Sequence, residues 1–138
     1  MPVRHEIDVD AGLIKVYLSG AVTSAEILAY YARLAVDPLL RPGLAVLADC
    51  SGVDAVPSFA EISIVATGHA HTPSALRPTV AAVVVATPWL FGIVRQFGAL
   101  VERTGVRVRP FYADDDARRW LADDARATRV HDNVTNVS

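Results

Sequence analysis

The sequence predicts an α/β fold built on a mixed five-stranded sheet, a β-hairpin followed by parallel βα units. Three observations predict it. Two short strands flank Asp10-Ala11-Gly12, which reads as a tight turn with Gly12 free to take positive φ. Two later apolar runs, Leu44 to Cys50 and Thr79 to Ala86, lack polar alternation and read as central strands covered on both faces. Helical segments opened by capping residues separate the later strands, which calls for parallel neighbours joined by right-handed crossovers.

Each element follows from its residues. Arg4 to Val9 alternates, with His5, Ile7 and Val9 on one side, the period of a half-exposed strand. Leu13 to Ser19 is the second strand. Thr23-Ser24-Ala25-Glu26 is a capping box, and the helix after it turns Ile27, Tyr31, Leu34 and Ala35 inward before ending near Asp37-Pro38. Leu44 to Cys50 is the third strand. Ser58-Phe59-Ala60-Glu61 is a second capping box, opening a helix with Phe59, Ile62, Val65, Ala66 and His69 inward. Thr79 to Ala86 is the fourth strand, and Pro88 starts a helix that buries Trp89, Ile93, Phe97 and Leu100 and stops at Gly105. Val106 to Arg109 meets Pro110 and suits an edge strand, its Arg107 and Arg109 guarding the edge or meeting an acidic partner. Asp114-Asp115-Asp116 opens the last helix, with Trp120 and Leu121. Residues 1–122 are expected to form a single domain and 123–138 a flexible C-terminal tail.

Composition bounds the function. A net charge of -2 argues against a broad nucleic-acid footprint. The uncharged run from Pro78 to Val94, 17 residues broken by Pro88, is too short for a membrane span. No secretory signal opens the chain, so a cytoplasmic location is expected, and the tail strings Asn133-Val134-Thr135 and Asn136-Val137-Ser138 carry no glycosylation meaning. One cysteine, Cys50, excludes a disulfide framework and reads as a buried structural thiol. Of the 13 basic residues only Lys15 is lysine, and the abundance of alanine and valine points to a high-GC bacterial genome. His69-Ala70-His71 would point apart on a helix, so no metal is expected; no cofactor motif is present either.

The order of elements, and the string D-P-L-L-R-P-G-L-A-V-L-A-D from Asp37 to Asp49, resemble the SpoIIAA-like branch of the STAS fold, the anti-sigma-factor-antagonist type. In that family a strand ending in aspartate leads to Asp-Ser-x-Gly, whose serine is phosphorylated. Asp49 matches the strand-end aspartate and Ser58 the phosphorylated serine, while Pro57 and Ala60 stand where the second aspartate and the glycine belong. The resemblance implies a non-enzymatic regulatory or protein-binding module. A further likeness of this branch to CRAL-TRIO domains implies, alternatively, a carrier or sensor of an apolar or amphiphilic molecule such as a lipid or fatty acid.

Parallel strands share one carboxyl-end rim, where open α/β sheets bind ligands. Asp49, Ser51, Ser58, Thr87, Trp89, Phe91 and Tyr112 are therefore the candidate ligand-binding residues, with helix N–H groups after Ser58 and Thr87 offered to an anionic head and the aromatics forming an apolar wall. Ser58 reads as an N-cap from its position and as a phosphosite from the resemblance. Expected partners are a protein, an amphiphilic small molecule, a peripheral membrane surface, or a second copy of the chain. The homodimer follows from the strands being apolar on both faces, which requires either a helix or another subunit on the second face.

Overall fold

The hairpin forms where the sequence places its turn. In the computed structural model, which describes residues 3–58, 61, 73 and 75–136, β1 (Val3–Asp8) and β2 (Leu13–Ala21) pair antiparallel. Gly12 takes φ +69°, and the Ala11 N–H donates to the Asp8 carboxylate at 3.1 Å, closing the turn. β3 (Ala45–Ala55), β4 (Val80–Val84) and β5 (Arg107–Phe111) follow in parallel, and the sheet order β1-β2-β3-β4-β5 is the chain order. The mixed five-stranded sheet is thus as expected.

The faces of the sheet divide by residue parity. Ile14, Val16, Val46, Ala48, Cys50, Ala81 and Val83 turn to the side where α1 (Ser24–Ala35) and α2 (Pro88–Val101) pack. Crossovers of one hand, stepping always in one direction along a sheet, return on one face. α3 (Asp114–Asn136) is not a crossover, since it follows the last strand, and it folds onto the opposite face. There Ala117 and Leu121 pack with Leu47, Val80, Ala82 and Val84, flanked by Trp120 and Phe111. Of the two covers the apolar second face requires, the structure therefore supplies the helix.

Local chemistry holds these elements. Thr23 caps α1: its hydroxyl accepts from the Glu26 N–H at 3.2 Å and donates to the Glu26 carboxylate at 2.8 Å. His5 of β1 meets Asp37, just past α1, at 2.8 Å, and the Tyr30 ring packs edge-on to His5. The Leu39 N–H and then His5 hold the Asp37 carboxyl below its ordinary range. β5 lies at the sheet edge, as Pro110 requires, its ring occupying a position with no outward strand partner.

Two expectations need correction. β3 does not end near Asp49. β2 runs on to Ala21 through register shifts, with Gly20 at φ +68°, and so gives Gly52, Val53 and Ala55 strand partners. α2 does not bury Trp89: the buried residues are Leu90, Val94, Gly98 and Val101, one position along, while Trp89 is 52% exposed. α3 continues to Asn136, past the expected domain boundary at 122. No glycine or proline interrupts that stretch, and Arg118–Asp114, Arg119–Asp116 and Arg126–Asp123 pairs run along its surface. Arg107 pairs with Asp124 of α3, and Arg109 lies over the Phe111 and Trp120 rings at 5.5 and 5.9 Å, so both arginines are engaged within the chain. The helix expected from Phe59 to His69, and with it His69-Ala70-His71, lies outside the described residues.

Candidate functional site

The rim residues fall into three separate groups. Asp49, paired across strands with Tyr17 and Val84, accepts from the Ser51 N–H at 3.0 Å and the Ser51 hydroxyl at 2.6 Å. Its strand position puts it on the α3 side of the sheet, opposite Cys50. Ser58 forms the expected capping box: its N–H donates to the Glu61 carboxylate at 3.0 Å, and its hydroxyl accepts from the Glu61 N–H at 3.4 Å.

The third group lies around the first turn of α2. Thr87 caps α2, accepting from the Leu90 N–H at 3.2 Å. Phe91, in the first turn of α2, stacks on Tyr112 of the β5–α3 connection with centroids 4.9 Å apart and planes at 16°. Tyr112 is 56% exposed, and Trp89, two positions before Phe91 in α2, is 52% exposed. Among the described residues no hydrogen bond, ion pair or ring contact joins these three groups.

Around Thr87 the donors expected for an anionic head are largely spent. Pro88 has no N–H, the Leu90 N–H goes to Thr87 Oγ1, and the Phe91 N–H goes to the Thr87 carbonyl at 3.0 Å. Only the Trp89 N–H of that turn is left to offer, and at Ser58 the residue's own N–H is engaged by Glu61.

A different concavity appears where the sequence reading placed only core. Among the described residues, an open and almost wholly apolar concavity of about 200 Å³ lies between the sheet and helices α1 and α2. Leu18, Val22, Ala48, Val53, Ala81 and Leu90 contribute to its wall, with Tyr30, Tyr31 and Cys50. Burial, and next the charge of Asp49, push the Cys50 thiol up to about 12, which leaves it a protonated, inert thiol at neutral pH. Burial likewise raises both tyrosines. Small residues make the room. Ala48 and Ala81 sit diagonally on neighbouring strands, each beside a valine partner, where larger side chains would fill the layer. Only the pairing register brings them together, so sequence periodicity alone gave no signal.

Ser58 is expected to behave as a cap. Ser58→Ala should cost about 1 kcal/mol, and Ser58→Asp should melt like wild type, because aspartate caps equally well. Denaturant melts of both variants read this directly. A serine that governs partner binding would instead show Ser58→Asp changing a pull-down with stability unmoved.

No family model and no curated protein matches this chain. Among solved structures it is similar to an uncharacterised protein of the DUF3478 family with a SpoIIAA-like fold, from Shewanella loihica PV-4, with a TM-score of 0.58 and 17% identity over 86% of this chain and 91% of that one. At that identity the likeness carries the architecture, and the fold is SpoIIAA-like. No helix among the described residues is long and apolar enough to cross a membrane.

Proposed function

We propose that this SpoIIAA-like chain is a non-enzymatic binding module that holds a small apolar or amphiphilic molecule between its sheet and helices α1 and α2. The cavity of about 200 Å³ carries the reading. Its wall among the described residues is apolar, which suits an apolar or amphiphilic occupant. The polar groups in the wall support binding over proton transfer, since a general acid or base works with a pKa near the operating pH and Cys50 sits far above it.

Native mass spectrometry of gently purified protein tests this together with a titration of benzyl alcohol. A bound mass or saturable binding is expected in wild type and should be lost in Ala48→Phe, which fills the wall. A bare mass with no saturable binding would overturn the reading.

A second reading, a regulatory module that binds a protein, is favoured by one observation, the exposure of two large aromatic side chains, Trp89 at the start of α2 and Tyr112 in the β5–α3 connection. Aromatic side chains concentrate at interfaces and dominate their energetics. On this reading, a partner is retained by wild type and released by Trp89→Ser/Tyr112→Ser, with the melting midpoint unchanged.

A further inference from the structure

We propose that the outer face of α2, where it borders β5, is an interface between two copies of this chain, related by a two-fold axis that passes α2 between Gly98 and Ala99. This surface is distinct from the second face of the sheet, which α3 covers.

The shape of the face suits a helix partner. An open groove of about 530 Å³ runs between α2 and the edge strand β5. Arg95, Gly98, Ala99 and Glu102 form one wall and β5 the other, all within the described residues. Spacings of three and four set those helical residues on one side of the helix. Gly98 is turned onto Val108, and Ala99, exposed, leaves the middle of the face low. Small side chains at a crossing point let two helix axes approach closely.

Charge commits the occupant. Arg95 and Glu102 are exposed at the two ends of this face. They lie seven residues apart, about 10 Å along the axis, beyond the spacing at which helix neighbours pair. Among the described residues neither side chain has a hydrogen bond or an ion pair. Their midpoint falls between Gly98 and Ala99. A two-fold axis there runs the two helices antiparallel and sets Arg95 of each copy against Glu102 of the partner subunit. One patch then meets itself, and both charges are answered twice. The apolar stem of each arginine lies along the Ala99 surface while its planar fork reaches the carboxylate. Arg103, the next residue along, does not line the groove.

The β5 edge offers a different two-fold, and its residues oppose it. Pro110 has no N–H to give an outward ladder, and an antiparallel pair centred on Val108 would set Arg107 opposite Arg109.

Sedimentation of the full chain over a concentration series tests the interface, with charge reversals that read the pairing itself. Wild type should approach twice the single-chain mass at high concentration and fall back towards the single-chain mass as salt rises. Arg95→Glu makes both ends of the face acidic, and Glu102→Arg makes both basic. Each variant alone sets like charges together in two places and should associate at least about tenfold more weakly. Mixed in equal amounts, the two variants match acidic ends to basic ones and should recover the dimer. Both positions are exposed, so melting midpoints should stay close to wild type. A wild type that keeps the single-chain mass overturns the inference. So does a dimer that both reversals leave unchanged, or a pair of reversals that stay single chains when mixed.

Discussion

Leu121→Asp is expected to strip α3 from the sheet and leave a protein that self-associates or fails to fold. α3 docks through a short apolar stretch: Ala117, fully buried, and Leu121, 5% exposed, seat against Leu47, Val80, Ala82 and Val84, with Trp120 against Phe111. Burying a leucine is worth about 1.5–3 kcal/mol. A carboxylate in its place adds an unpaired buried charge, whose effective penalty is several kcal/mol. Together these approach the roughly 5–15 kcal/mol that holds a typical domain together. The least disruptive escape is for α3 to lift off, exposing the apolar back of β4. Light scattering should then show a mass above the wild type's at equal concentration, with strong binding of a hydrophobic dye. Leu121→Ala, which removes packing without adding charge, should cost about 2–5 kcal/mol and keep the wild-type mass. A Leu121→Asp protein with wild-type mass and melting midpoint would mean that α3 does not cover this face.

The elements legible in the sequence were those with local causes. Both capping boxes formed at Thr23 and Ser58, the turn at Gly12 closed as its residues require, and Thr87-Pro88 began a helix. What was not legible depended on neighbours distant in sequence. β3 outran Asp49 because β2 kept pace with it as far as Ala21. α2 offers apolar residues around most of its circumference, so periodicity fits both the stripe Trp89-Ile93-Phe97-Leu100 and the stripe Leu90-Val94-Val101. The rim residues were expected at strand ends, whereas Asp49 lies within β3, and Ser58 is engaged with Glu61 in its capping box. The Phe91–Tyr112 contact joins the first turn of α2 to the end of β5, a pairing that only the fold displays. The cavity depends on the register that sets Ala48 and Ala81 on adjoining strands, a relation that no single segment displays.

Gly98 settles the phase of α2, and two alanine substitutions in that one helix should move stability by unequal amounts. A Cβ built at Gly98 meets the Val108 carbonyl oxygen at 3.0 Å and the Val108 Cβ at 3.3 Å, whereas one built at Gly92 meets nothing within 4 Å. Both residues are helical, so each alanine gains the same intrinsic preference, about 0.8–1.0 kcal/mol over glycine. At Gly92, exposed and open, that gain should appear whole as a raised melting midpoint. At Gly98 it is opposed by the backbone of β5, which is tied to β4 along its length and cannot retreat without breaking that ladder. Gly98→Ala should therefore fall well short of Gly92→Ala in stability. Gly98→Leu, with three more carbons to place, should destabilise by about 1–3 kcal/mol or more, as overpacked cores do. Chemical melts of the three variants decide the matter. Equal stabilisation by alanine at both positions would show that α2 does not pack on β5 through Gly98, and the buried stripe would then be the one that includes Trp89.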